Sequence, residues 1–403
     1  MMNFASFSSP AFFTDPYPIY EKVREAGPLL PVAPNVLVTG RFEIIDALLR
    51  DRRMGKTYLQ SVSVRYGEAA TQYPVFQALS RTFLMMNPPS HTRLRTLLMK
   101  AFNAKQIEKL REIVEMTSDD LLARIGSKAE FDLVAEYALP LPVEIICRLL
   151  GISPADGLKL GAAASRLIAA FDLAPLDEAR LAEANEAALT LEWYFRQVVE
   201  QRRASPGDDI ISSLVSVEDD GATLSDEEII SNVILLFIAG HETTSNMIGN
   251  AFIALFRQPV QLLALKRDPA LIPKAITECM RYDSSVQMVV RTALEDVAIG
   301  DATLARGTIV FMLVGAANRD PAVFAHPDQL DFSREGNVPS LAFGGGIHYC
   351  LGARLAQLEI EVAIGALLSR FPDMQPTNLD QLIWHPRNNL RGVESLRVVT
   401  AAA

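Results

Sequence analysis

The stretch Phe343-Gly-Gly-Gly-Ile-His-Tyr-Cys-Leu-Gly-Ala-Arg354 sets one cysteine behind three consecutive glycines. Beyond it Leu351, Leu355, Leu358 and Val362 recur at a spacing that predicts a helix with those residues on its apolar side. Glycines permit a tight turn that aims backbone N–H groups at a sulfur, and a helix N-terminus favours the thiolate form of a cysteine placed there. An axial thiolate to a large planar cofactor needs that arrangement, and Gly352 would let the helix pass close to a flat ligand. Two other roles fit the same letters. One is a structural cysteine buried beside a glycine turn, and the other is a nucleophile, for which His348 offers poor base geometry.

Composition narrows the classes. The chain has 403 residues and a formal net charge of -10, from 38 Lys+Arg against 48 Asp+Glu, with no basic tail. That balance argues against nucleic acid or an anionic membrane as the main partner. Cys147, Cys279 and Cys350 are odd in number and lack paired spacing, which speaks against a disulfide framework or an all-cysteine zinc site and fits a reducing, cytoplasmic compartment. The N-terminal MMNFASFSSPAFFTDPYPIYEK has no basic segment followed by a long apolar run, so neither a signal peptide nor a membrane anchor is expected.

Along the chain, helical patterns dominate and strands are few. A short strand is expected over Asn35–Gly40 and a helix over Arg41–Arg50, followed by a long loop region, with at most a short helix, from Tyr58 to Thr82. Asn87-Pro-Pro-Ser-His-Thr-Arg-Leu-Arg95 opens a helix with two prolines and a serine at its start. Leu133–Leu150 reads as two helical pieces, with Cys147 in the buried one, and Ala163–Arg203 as an antiparallel pair broken near Asp172–Asp177. Ser205–Gly221 reads as a surface connection, Ile299–Val310 as a hairpin, and Leu382–Val399 as a turn between strand-like ends.

One helix stands out. Ser225-Asp-Glu-Glu228 is a capping box, and the segment it opens reaches Arg257, with Pro259 as the stop. Val233–Ala239 is seven apolar residues in a row, so burial on all sides is expected near the middle. Gly240-His-Glu-Thr-Thr-Ser245 then sets a flexible glycine, an acid and three hydroxyls in that buried helix, a costly cluster unless hydrogen-bonded. A hydroxyl bonded back to a carbonyl four residues earlier would loosen the ladder and widen a groove lined by Gly240, Glu242 and Thr243. Glu278 and Arg281, at i,i+3 on a later helix, are close enough to pair, as many surface residues do.

With Arg334 in the segment before the cysteine loop, these motifs resemble the soluble bacterial cytochromes P450, a family of haem-thiolate monooxygenases. Phe343–Gly352 resembles the haem-ligand loop, Ala239–Thr244 the oxygen-activation groove, and Glu278-Cys-Met-Arg281 the E-x-x-R pair; the likeness covers essentially the whole chain. It implies a mainly α fold with small β-sheets, a triangular helical prism around buried haem b, as a single domain over 1–403 whose β-rich lobe takes in roughly 1–80 and 290–320. Cys350 would be the axial iron ligand, with His91, Arg95, Arg291 and His348 as propionate partners and Phe343, Gly344, Ala239 and Gly240 beside the macrocycle. Thr243 and Glu242 would handle protons, and Glu278, Arg281 and Arg334 would form a buried structural cluster. Leu235, Leu236, Val286, Val289, Val290, Asn388 and Asn389 would line a largely hydrophobic substrate pocket, with Gln287 as a further polar contact.

No flavin, iron–sulfur or dinucleotide fingerprint occurs in the sequence, so electrons are expected from a separate ferredoxin or flavodoxin and its NAD(P)H-dependent reductase. Some of Arg93, Lys100, Lys105 and Arg354 would steer that carrier, with O2 as co-substrate and the protein a cytoplasmic monomer. A peroxide-driven or rearranging P450 is the alternative within the family, and a non-enzymatic haem sensor or carrier the alternative outside enzymes.

Overall fold

The capping box forms as its letters dictate. Ser225 N–H donates to Glu228 Oε2 at 3.0 Å and Glu228 N–H donates to Ser225 Oγ at 3.2 Å. The helix they open runs unbroken from Asp226 to Arg257, 32 residues, about 48 Å at the usual rise. The structure is a computed structural model that describes residues 4–101, 104–172, 175–334 and 338–400, with side chains for all of these but 4–5 and 104–109.

The chain divides into two compact units, and the long helix belongs to both, the boundary falling between Glu242 and Thr243. The first unit comprises Met1–Met54, Val114–Leu141 and Thr243–Ala403. Its main sheet has five strands in the order Leu30–Ala33, Val36–Thr39, Ile309–Leu313, Met288–Ala293 and Met54–Gly55. Val36–Thr39 runs parallel to Ile309–Leu313, which pairs antiparallel with Met288–Ala293 so that Arg291 lies opposite Val310. Runs of β-branched residues suit these pleated, largely buried strands. The helix Phe42–Arg50 buries Phe42, Ile45, Leu48 and Leu49 against Val310, Met312 and Leu341 in one continuous core. A three-stranded sheet joins Glu130–Asp132, Arg397–Val399 and Gln375–Pro376.

The second unit, Gly55–Ile113 and Pro142–Glu242, is helical. Within it the helices Pro154–Ile168 and Glu178–Ala204 are joined by a Tyr194 hydroxyl to Asp156 bond of 3.2 Å. Cys147 is fully buried, and a Cβ added to Gly157 would lie 2.1 Å from its sulfur, so glycine is required for the close approach. Among the described residues, no single helix is long and apolar enough to cross a membrane.

Several local expectations are corrected. The Tyr58–Thr82 region is mostly helical, with helices Tyr58–Tyr66 and Pro74–Ser80, because Val62, Val75, Phe76 and Leu79 are buried by tertiary partners rather than by a clean repeat. The β-rich part therefore ends near residue 55. Ser205–Gly221 contains a helix, Ile210–Ser216, capped by Asp209 and buried through Ile210, Ile211 and Leu214. The hairpin lies at Val297–Ile299 and Ala302–Leu304, while Ile309–Leu313 joins the five-stranded sheet. In Ala353–Arg370 the buried face is Ile360, Ala363, Ile364 and Leu367, and Leu355, Leu358 and Val362 are only half-buried.

The same helix buries Glu359, 2% exposed, with Oε2 lacking a hydrogen-bond partner among the described residues. Burial pushes its carboxyl well above the usual carboxylate range. The folded chain then binds a proton that the unfolded chain releases from about pH 4.5 upward, so this group's contribution to stability falls as pH rises through that window. Glu359→Gln is expected to remove this slope and to equal or exceed the parent in urea midpoint at neutral pH. Urea titrations of both proteins across pH check it, and a variant that loses stability more steeply with rising pH would contradict it.

Candidate active site

Cys350 is the exposed thiol of the three cysteines. Its loop is closed by Cys350 N–H donating to the Phe343 carbonyl at 3.0 Å and by Gly344 N–H to Leu341 at 2.8 Å. Gly344 and Gly346 take positive φ of 69° and 63°, and a Cβ at Gly346 would sit 2.0 Å from the Leu49 carbonyl oxygen. Only glycine fits there, and it seats the loop on the helix Phe42–Arg50. At Gly352, just before the helix Ala353–Arg370, a Cβ would meet nothing within 4 Å, so packing within the protein does not demand glycine at that position. The other thiols are inert by comparison: burial pushes Cys147 up to about 12 and raises Cys279 as well.

Arg291 tests whether these residues suit a haem. It is 5% exposed on the strand Met288–Ala293, and its guanidinium donates to the Val290 carbonyl at 3.0 Å. Burial alone lowers it to about 10, with no carboxylate among the described residues acting on it. A desolvated guanidinium in that setting calls for an anion, and a propionate of haem is such an anion. His348 ends the short turn Gly346–His348 in the same unit, two residues before Cys350. In the second unit, His91 and Arg95 lie one turn apart on the helix Ser90–Ala101. His91 is 2% exposed, its ring centroid 6.2 Å from that of Phe83, and Arg95 lies over the same Phe83 ring at 5.8 Å.

The long helix is not buried on all sides. Leu235, Phe237, Ile238, His241, Thr244 and Ser245 are buried, whereas Leu236, Gly240, Glu242 and Thr243 are partly accessible and Ala239 is exposed. Spacings of three and four put the accessible set on one stripe. One bond back to an i−4 carbonyl involves the imidazole: His241 Nδ1 lies 2.7 Å from the Phe237 oxygen, and the segment is helical throughout this turn. Burial lowers the imidazole's pKa, which makes it neutral near pH 7 with Nδ1–H as the donor. Gly240 has a packing reason of its own, since a Cβ there would meet Ile146 at 3.3 Å.

Glu278 on the helix Ile272–Tyr282 is no surface partner. Arg281 grips it with two bonds of 2.8 Å, and Arg334 Nε adds contacts of 3.1 and 3.2 Å. Arg281, 3% exposed, also donates to the carbonyls of Asn318, Pro327 and Gln329. The Asn318 amide oxygen in turn accepts from Leu341 N–H at 2.7 Å. The buried charges therefore fix the peptide that leads into the cysteine loop.

The residues expected to line the substrate pocket fall in different settings. Leu235 is 4% exposed and Leu236 half-buried on the long helix. Val286 bridges Leu390 in antiparallel register, which pairs the two segments directly. The same register pairs Asn389 with Gln287, through a 2.9 Å bond from Gln287 N–H to the Asn389 carbonyl. Gln287 is committed internally, accepting from the Tyr20 hydroxyl at 2.9 Å and donating to the Ser284 carbonyl at 2.7 Å. Val289 packs against the core of the sheet, Val290 is half-buried, and Asn388 lines a small cleft with Phe12, Phe13 and Trp384. Of the cations expected to steer a carrier, Arg93 pairs with Glu228 and Lys100 with Asp219, Arg354 is exposed, and the Lys105 side chain lies outside the described residues.

A family model described as Cytochrome P450 matches residues 160–266 and 270–385. A putative cytochrome P450 133B1 of Xylella fastidiosa is 47% identical, over 98% of both chains. The 6-deoxyerythronolide B hydroxylase of Saccharopolyspora erythraea is 33% identical over 99% of both. Among solved structures, P450BioI in complex with hexadec-9Z-enoic acid ligated acyl carrier protein superposes with a TM-score of 0.89 at 34% identity, covering 97% of this chain and 100% of that one. Family match, full-length relatives and superposition agree: the chain belongs to the cytochrome P450 family, enzymes that use haem.

Proposed function

We propose that this chain is a haem-thiolate monooxygenase that oxidises a mostly apolar small molecule, with electrons from a separate ferredoxin or flavodoxin and its NAD(P)H-dependent reductase. The observation that carries the reading is the exposed Cys350 thiol in a loop seated by Gly346, where only glycine fits. When bound, haem supplies the activation of O2 and the transfer of one oxygen atom to substrate.

The chain's own residues do the rest. Cys350 would hold the haem iron through its sulfur, and Arg291 and His348, as well as His91 and Arg95, are the donors that would hold its propionates. Thr243 holds a proton at Oγ1 on the accessible stripe of the long helix, and the carboxyl of the neighbouring, partly accessible Glu242 resupplies it. The apolar side chains of Leu235 and Leu236 on the long helix, and separately of Val286 and Leu390 at their bridge, favour an apolar substrate. Relatives are named 6-deoxyerythronolide B hydroxylase and vitamin D(3) 25-hydroxylase, and a similar solved structure holds hexadec-9Z-enoic acid ligated acyl carrier protein, which supports bulky lipophilic substrates in general.

Screening lipophilic compounds for the low-spin to high-spin shift, followed by turnover with ferredoxin, reductase and NAD(P)H, tests the proposal. Thr243→Ala is expected to retain haem and ligand binding while product formed per NAD(P)H consumed falls about tenfold or more, with hydrogen peroxide in its place. An unchanged ratio would remove Thr243 from proton handling.

A further inference from the structure

One turn beyond Thr243 the long helix is covered by a piece of chain from near the C-terminal end. Thr243, Asn246 and Asn250 recur at spacings of three and four, which puts them on one side of the helix Asp226–Arg257. A Cβ added to Gly392 would lie 2.0 Å from Asn246 Oδ1, and Asn250 Nδ2 donates to the Arg391 carbonyl at 3.1 Å. Arg391–Gly392 therefore lies on the Thr243 side of the helix, and all of these residues belong to the first unit. Gly392 takes no positive φ, so the close approach, not the backbone, is what an added methyl would disturb.

The Arg391 side chain clamps that piece of chain. Its Nε donates to the two Asp283 oxygens at 2.9 and 3.1 Å, and its terminal nitrogens donate to the carbonyls of Phe13 at 2.9 Å and Thr14 at 3.2 Å. Those two carbonyls end the helix Pro10–Thr14, where a helix lacks donors of its own, so the arginine caps it. The guanidinium also stacks on Trp384, 3.5 Å from the ring centroid, and Trp384 bridges Val393 in antiparallel register. Asp283 is fixed in turn by the Tyr17 hydroxyl, which donates to its Oδ1 at 2.7 Å. Arg391 is 7% exposed and each of its side-chain nitrogens has a named acceptor. Only a planar fork reaches all of them, and lysine has none.

We propose that Arg391 is a positioning residue for the reaction groove: its clamp keeps Gly392 seated on Asn246 and so closes the Thr243 side of the long helix against water. The inference rests on the reading of Thr243 as the proton-handling residue. It adds to that reading a support outside the groove, anchored on the N-terminal helix Pro10–Thr14. A proton held at Thr243 Oγ1 tolerates little misplacement of its surroundings, and water admitted beside it competes for that proton.

Two variants reach the seat from opposite sides. Arg391→Lys keeps a charge for Asp283 and loses the fork, whereas Gly392→Ala touches no charge and wedges a methyl against Asn246, so it decides the matter even where Arg391→Lys fails to hold haem. Both are read in the haem-loaded ferric protein by amide hydrogen exchange and by the relaxation of bulk water protons, which reports water exchanging beside the iron. Exchange across 243–250 is expected to rise about tenfold and water relaxation about twofold, with exchange in the strand Ile309–Leu313 unchanged. Water relaxation equal to the parent's, or exchange that rises equally in Ile309–Leu313, would overturn the assignment. The ferrous–CO spectrum of the same samples shows separately whether the haem-thiolate reading holds.

Discussion

Cys350→Ala is expected to abolish the red-shifted ferrous–CO Soret band of thiolate-ligated haem, together with all NAD(P)H-driven oxidation. The size of the effect follows from the thiol inventory. Cys147 is fully buried with its thiol pushed up to about 12, and Cys279 is 1% exposed with its thiol raised further. Neither can replace the exposed Cys350 as a thiolate donor. Folding should survive, because the loop is held by backbone bonds from Gly344 and Cys350 and by the seating of Gly346 on Leu49, none of which uses the sulfur. Spectra of the reduced, CO-treated variant check this, and retention of the thiolate band would remove Cys350 from the iron.

The second large effect is on stability. Glu278→Ala leaves the buried Arg281 and the partly buried Arg334 without their shared carboxylate, a loss expected to cost about 3–5 kcal/mol. Against a usual total of about 5–15 kcal/mol, that brings the fold close to failure. The damage should extend to the thiolate, because Arg281 holds the Asn318 carbonyl and the Asn318 side chain holds Leu341 N–H, whose carbonyl accepts from Gly344. Urea midpoints and haem retention measure both consequences. A midpoint within about 1 kcal/mol of the parent would show that the cluster is not buried as described.

Much of the site was legible because its chemistry requires unusual residues close together in sequence. The glycines before Cys350, the capping box at Ser225 and the Glu278–Arg281 spacing each encode a local geometry, and the structure shows that geometry at all three places. Contacts between distant segments were not legible. The Tyr58–Thr82 region looked like a loop because its burial comes from tertiary packing rather than from a continuous repeat. Gln287 looked available to a ligand because its partner, the Tyr20 hydroxyl, lies 267 residues away. Arg93 and Lys100 looked like free surface cations until folding brought Glu228 and Asp219 to them. Similarly, Gly240 read as part of a groove, whereas one reason for a glycine there is Ile146 on a neighbouring helix.

The central claim is that the sulfur of Cys350 is the protein's ligand to haem iron. The most direct measurement is the ferrous–CO difference spectrum of the purified, haem-loaded protein at neutral pH, backed by electron paramagnetic resonance of the ferric state. The account predicts the red-shifted Soret band and low-spin resonances of a thiolate-ligated haem. A spectrum of the kind given by histidine-ligated haem, obtained from folded protein, would contradict it.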